Sequence, residues 1–476
     1  MSKIPRSQMG ALRGFSELEL GLDPLHDEGE HVTNRSGHMM GFSPETFALR
    51  RKAALGALEG SVLVLPSAPL SFRSRDTEAR YRADSDLFYL TGVVDPGAVA
   101  VLRPGGDTGD FILFVRPRDS TEERWSGERL ELEDVAEVFG ADAVYSDEIL
   151  AQKLPELLAG ADNVYFRLEG GVGLENLVTT ALSTARLRGP RTRAGPYAVV
   201  DPGRLLDRMR LLKDPEELDR MRGAAEITVN AFSEMLATVR IGLGEWQLEA
   251  SIEEAFRRRG AMGPAFPTIV GSGANACILH YRDNSGIIGE RDLVLVDAGA
   301  ELDLYAADVT RTFPASGRFT DEQCAVYNVV LTAHQSAIQT VRPGATIESV
   351  HDTARNALVD GLLALNTLCG NREELIAEES YKPFFPHQTS HWLGLDVHDV
   401  GAYRCGELSR ALEPGMVLTV EPGLYFPPSL VEETDYSGIG VRIEDDVVVT
   451  PEGYEVITEG LPVTVDGLED LIGSRE

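Results

Sequence analysis

LVLVDAGAELDLYAADVTRTFP, residues 293–314, is the run on which the fold turns. Alternation places Leu293, Leu295 and Asp297 on one side of a strand. A carboxylate that ends an otherwise apolar face is costly unless a cation or hydrogen bonds satisfy it. Asp308 follows eleven residues later, in a second strand-like stretch, YAADVTRTF (305–313). That spacing suits a hairpin that brings the two aspartates together. Thr310 shares the face of Asp308 and is read as orienting it.

Downstream the same pattern returns. In MVLTVEPGLYF (416–426), Val417, Thr419 and Glu421 fall on one face; in GVRIEDDVVVT (440–450), Arg442, Glu444 and Asp446 do. Arg, Glu and Asp on one side of a buried-looking strand point to a polar site rather than a dry core. At least one acid of the EDD triplet at 444–446 is expected on the surface. Between the strand pairs lies HQTSHWLGLDVHDVG (387–401), with His387, His391 and His398; three of the nine histidines fall within twelve residues. Each signal alone is weak, because a lone Asp or Glu at a strand end is most often a turn or cap residue. Together, four carboxylates and an imidazole suit two hard divalent cations about 3.5–4 Å apart. One imidazole favours Mn, Fe, Co or Zn over Mg or Ca. Such a pair shares a water, lowers its pKa to give hydroxide near neutral pH, and polarises a carbonyl.

The rest of the chain frames this site. At 476 residues it is too long for one ordinary core, so two domains are expected. Residues 1–43 are polar and aperiodic and read as a mobile extension. A helix is predicted to start at Ser43, with Pro44 and Glu45 behind it. Short β-rich stretches follow at SVLVLPS (61–67), DLFYLTGV (86–93), AVAVLRP (98–104) and FILFVRP (111–117), with a helix over 147–160. They read as a smaller N-terminal α/β domain, 44–203. Asp-Pro steps around DPGRLLDRMRLLKDP mark the switch, placed near Gly203. From Pro215 a long helix opens the second domain, 204–476, with further helices at 320–342 and 346–365 between the strand pairs. The fold class is α/β (α+β).

Composition excludes several classes. Apolar residues make up 43% and charged residues 25%, ordinary globular values. A formal net charge of −32 argues against nucleic acid and anionic membranes as partners. Cys277, Cys324, Cys369 and Cys405 show no CxxC pairing and read as buried free thiols, which makes the cytoplasm the default location. No apolar run spans a bilayer, and the N-terminus lacks a signal-peptide apolar region.

At this point the sequence resembles a known family, the pita-bread metallopeptidases, and within them the aminopeptidase P (Xaa-Pro aminopeptidase) family. The matching segments are FPTIVGSGANACILHY (266–281), 293–314, 387–401, LEPGMVLTVEPGLYF (412–426) and GIGVRIEDDVVVT (438–450), with DSDLFYLTGV (84–93) resembling the family's N-terminal domain. The resemblance implies a C-terminal pita-bread catalytic domain. It implies two metal ions, Mn2+, with Asp297 a terminal ligand of one, Asp308 and Glu444 bridging both, and His391 and Glu421 on the other. It implies a hydroxide that bridges the two metals, with Glu421 shuttling a proton from the bridging water to the leaving nitrogen. His280 and His398 would donate to the scissile carbonyl and the oxyanion. His387, Arg442, Tyr425 and Asp86 are carried over as substrate-binding or supporting residues. Trp125 resembles a family tryptophan that reaches a neighbouring subunit's site, which implies a homo-oligomer, dimer or tetramer. The implied reaction removes the first residue from peptides with proline second. Its rivals are a prolidase acting on Xaa-Pro dipeptides and a non-catalytic pita-bread module that binds protein partners.

Overall fold

The computed structural model describes residues 41–168, 173–188, 196–431 and 434–473. The expected extension 1–43 lies outside them apart from its last three residues. Of these, Phe42 is buried against Phe47, Phe88 and Tyr305. Ser43 caps the Pro44–Ala57 helix, and its Oγ and amide both donate to Glu216.

The N-terminal part is built on a six-stranded mixed sheet. Its strands lie in the order Ala143–Ser146, Phe111–Val115, Val99–Leu102, Val62–Pro66, Asn163–Tyr165 and Ala198–Val200. The central pairs are antiparallel and the three outer pairings parallel. Continuous runs such as VAVL and FILFV are buried on both faces, which is why they lack alternation.

One expected strand is a helix. DLFYLTGV (86–93) lies largely in the helix Ser85–Thr91, capped by the Asp84 side chain and closed by Gly92 at φ 73°. Every residue of it is buried, so the helical period is hidden in the sequence. The Asp84 cap and the left-handed Gly92 were the readable signals.

Across the switch, Gly203–Leu211 is a helix, and Pro215–Leu236 follows with Asp214 and Glu217 in a reciprocal capping box. The C-terminal half holds an antiparallel sheet of Ile269–Ser272, Leu293–Ala298 and Val309–Pro314. Asp297 pairs with Thr310 across it. The helices Asp321–Thr340 and Ile347–Ala364 pack on a core that includes Val294, Val296, Phe313, Trp392 and Leu418.

The other expected strands are present but interrupted. YAADVTRTF breaks at Ala307–Asp308, MVLTVEPGLYF at Glu421–Pro422, and GVRIEDDVVVT at Ile443–Glu444. Three candidate ligands therefore sit at breaks, where the chain turns out of one sheet and begins the next. The cysteines are free but not buried: Cys369 and Cys405 are exposed, Cys277 and Cys324 partly so.

Candidate metal centre

Two neighbouring runs of chain place the imidazole beside a carboxylate. Residues 389–393 lie antiparallel to 417–421. The amide of Glu421 donates to the Thr389 carbonyl (2.8 Å), that of Thr419 to His391 (3.0 Å), and that of Leu393 to Val417 (3.1 Å). A third run closes the site, because the Glu444 amide donates to the Thr310 carbonyl at 3.1 Å.

The result is a buried acidic cluster. One ligand atom each from Asp308, His391 and Glu444 lies within 4.8 Å of the others. His391 Nε2 is 3.4 Å from Asp308 and 3.8 Å from Glu421. Asp297 adds its negative charge beside Asp308 and faces Arg442, whose Nη2 donates to its Oδ2 at 2.6 Å. The other oxygen of Asp297, Oδ1, is buried with no partner.

Burial and mutual repulsion decide the electrostatics. Burial raises Asp308 well above the carboxylate range, helped by Asp297, Asp446 and Glu421. Glu444 is raised likewise by burial, Asp308 and Glu421, with Arg442 opposing. Glu421 is pushed up to about 7, chiefly by burial. One guanidinium cannot neutralise four such acids, so the cluster calls for added positive charge.

The donor set fits a divalent cation. His391 Nδ1 is 3.0 Å from the Trp392 carbonyl, to which it donates, leaving the Nε2 lone pair facing the acids. With the orphaned Asp297 Oδ1, this is a carboxylate and imidazole donor set of the kind that suits a divalent metal.

A chain of hydrogen bonds steadies the floor. Arg442 donates from Nη1 to Tyr425 Oη (3.0 Å), which donates to His387 Nε2 (2.9 Å). His387 Nδ1 then donates to the Gln388 carbonyl (2.8 Å). Burial and the nearby Arg442 hold His387 down to about 3, so it stays neutral. Arg442 Nε donates to Thr310 Oγ1, which donates to Glu444 at 2.6 Å. Thr310 thus orients Glu444, not Asp308 as expected. Asp308 is set instead by its amide, which donates to Asp446.

The EDD expectation is also corrected, since all three acids are buried. Asp445 pairs with Arg311 at 2.7 Å, and Arg311 Nη1 donates to the Glu444 carbonyl at 2.6 Å. Arg311 was missed; its pattern position in VTRTF resembled an outward charge.

His280 and His398 are both exposed. The His398 ring lies 4.5 Å from that of His391, edge to face. Trp125 stands apart, 90% exposed on the short helix Glu123–Ser126. Asp86 is not at the cluster; it is buried between Arg210 and Arg167.

Sequence reasoning also missed Glu245, first residue of the helix Glu245–Arg258. It is buried and accepts from Ser272 N (2.8 Å), Ser272 Oγ (2.9 Å), Asn275 Nδ2 (3.0 Å) and Gly286 N (2.6 Å). It therefore ties both ends of the loop that carries His280. Burial opposes its charge, yet the bonds from Asn275, Ser272 and Gly286 hold its carboxyl below the usual 4.5. Its stabilising contribution is thus present above pH 4.5 and lost as pH falls through the lower folded value. Glu245→Gln should cost about 2 kcal/mol at pH 7, because an amide cannot accept all four donors. The gap from wild type, read from guanidinium midpoints, should narrow as pH falls below 4.5 through the lower folded value. A pH-independent gap would contradict this.

Comparison with known proteins agrees with the geometry. The model of metallopeptidase family M24 matches residues 219–451, and that of the aminopeptidase P N-terminal domain matches 47–165. The chain is 42% identical to Xaa-Pro aminopeptidase of Escherichia coli over 91% of its own length and 99% of that protein. It superposes on the aminopeptidase PepP of Pseudomonas aeruginosa with a TM-score of 0.89, at 43% identity over 91% of this chain and 99% of that one. A zinc-substituted E. coli aminopeptidase P in complex with product matches with a TM-score of 0.87, at 41% identity over 91% and 99% of the two chains.

Proposed function

The chain belongs to metallopeptidase family M24, and from that membership and the site we infer a metal-dependent hydrolase that removes the N-terminal residue from peptides with proline in second position. The observation that carries this reading is the convergence of Asp308, His391 and Glu444 in a buried acidic cluster, in a chain so similar to Xaa-Pro aminopeptidases.

Asp297, Asp308, His391, Glu421 and Glu444 would hold the two divalent cations. Bound there, divalent cations, Mn2+ by the family resemblance, supply a water of lowered pKa and a Lewis acid for the scissile carbonyl. Glu421 takes a proton from the attacking water at a carboxylate oxygen and passes it to the proline nitrogen as the C–N bond breaks. The water oxygen stays on the carbonyl carbon. His280 and His398 donate ring N–H groups to the carbonyl oxygen and the oxyanion it becomes.

His387 has both ring nitrogens engaged, one by Tyr425 and one by Gln388. It therefore offers the substrate ring surface rather than a hydrogen bond, which suits a pyrrolidine. The bond before proline is a tertiary amide with no N–H to recognise. Selection must come from shape and apolar contact, worth about 1–3 kcal/mol.

Other parts of the reading have their own support. The sheet strand ending at Val200 and the helix opening at Gly203 support a division near 203. The 90% exposure of Trp125, which lines a cavity of about 610 Å³, supports its contact with a partner's site in a homo-oligomer. Among the described residues no helix is long and apolar enough to cross a membrane. Four free cysteines support a cytoplasmic setting.

One assay series tests the function. The purified protein should cleave an Xaa-Pro-Yaa tripeptide, lose that activity to a chelator, and regain it with Mn2+. Sedimentation of the same sample should read a dimer or larger. Cleavage of an Xaa-Pro dipeptide with an idle tripeptide would establish a prolidase instead. No hydrolysis and no bound metal would favour a protein-binding module.

A further inference from the structure

His398 lies in a tight loop, 393–401, whose charged residues do not face the metal cluster. Asp396 and Asp399, on either side of the histidine, both meet Arg210 Nη2 at 2.6 Å. Arg210 belongs to the Gly203–Leu211 helix between the two halves of the chain. Its other terminal nitrogen pairs with Asp86 at 2.7 Å, and Arg167 meets the second oxygen of Asp86 at 2.9 Å. Lys213 Nζ completes Asp399 at 2.9 Å. Ser85 Oγ donates to Asp396 (2.7 Å), and Arg82 donates to the Leu395 carbonyl.

Residues 82–86 of the N-terminal half thus hold the loop from one side, and Arg210 and Lys213 from the other. The side chains of Asp86, Arg210, Lys213 and Asp399 are each at most 3% exposed. Well-packed apolar residues would stabilise such a place as well or better. What ion pairs add is direction, because a planar guanidinium fixes several carboxylates at set angles. No space is left for slack: a Cβ on Gly394 would lie 2.2 Å from Asp399 Oδ2 and 2.9 Å from Lys213 Cε.

We propose that Asp86, through Arg210, is a positioning residue for His398, so that the N-terminal half sets the place of a catalytic side chain in the other half. This rests on the assignment of His398 above, and it replaces substrate contact as the role of Asp86. A shift of about 1 Å at a positioned group costs on the order of 100-fold. Losing one of Arg210's partners, with the others kept, should cost about ten-fold in kcat and under two-fold in KM.

The test is a cycle of Asp86→Asn and His398→Ala, assayed on the Mn2+-loaded enzyme with a tripeptide. Acting through His398, Asp86→Asn should lose its ten-fold penalty in the His398→Ala background. In the metal-free, histidine-labelled protein, Asp86→Asn should move the His398 ring resonance and leave in place that of His334, which is on the Asp321–Thr340 helix and faces Asp445. Asp396→Asn, on the most exposed carboxylate of the network, repeats the cycle if Asp86→Asn melts early. An equal penalty in both backgrounds, or none, overturns the proposal while leaving His398 catalytic. A silent His398→Ala overturns the assignment of His398, and this proposal with it.

Discussion

Glu421→Ala should lower kcat on an Xaa-Pro-Yaa tripeptide by about 1,000-fold or more, because a ligand and a proton carrier vanish together. No neighbour can take over the proton. His387 Nδ1 lies 3.7 Å from Glu421, but it donates to Gln388 and its ring is held down to about 3. Asp308 and Glu444 are buried and committed to the cluster. The two roles separate in Glu421→Gln. The amide keeps an oxygen for a cation but cannot accept the water's proton, so kcat should fall nearly as far while metal affinity, read by titration calorimetry, falls less. An alanine variant within ten-fold of wild type would contradict the assignment of Glu421.

The contrast between this residue and Thr310 shows what was legible in the chain. Asp297, Asp308, His391, Glu421 and Glu444 announce themselves because a charge inside a β-rich run needs a reason. Their gathering, however, comes from the breaks in three strands, at Asp308, Glu421 and Glu444, where alternation stops being a guide to direction. That is why alternation pairs Thr310 with Asp308, whereas the folded chain has it donate to Glu444. The same limit hid the burial of Asp445 and Asp446, whose partners Arg311, Thr458 and the Asp308 amide are distant in sequence. The helix at Ser85–Thr91 was misread for another reason. A segment buried on all sides carries no period, and only its caps distinguish it from a strand. Asp86 then passed for a pocket residue, since nothing local shows that Arg210 lies across from it.

Gly299→Ala should be the most damaging substitution outside the ligands, and it follows from backbone geometry alone. The chain turns at Gly299, between the Leu293–Ala298 strand that carries Asp297 and the one that begins at Ala300. There it passes against the peptide that precedes Asp308. A Cβ at 299 would lie 1.6 Å from the Ala307 carbonyl oxygen, 2.4 Å from its carbon and 3.0 Å from the Asp308 nitrogen. No side chain can rotate away from that overlap, because every atom met is backbone. Relief requires the 305–308 segment to move, which breaks the Ala307 amide's bond to the Ala300 carbonyl (3.1 Å) and the Asp308 amide's bond to Asp446 (3.0 Å). Overpacking of this kind costs about 3 kcal/mol, and here the strain falls on the stretch that aims a ligand. Gly299→Ala should therefore melt earlier than wild type, and the fraction that folds should bind Mn2+ at least 100-fold more weakly, since Asp308 no longer meets His391 and Glu444. A variant with wild-type melting temperature and Mn2+ affinity would mean that the two segments do not approach as closely as the 1.6 Å separation implies.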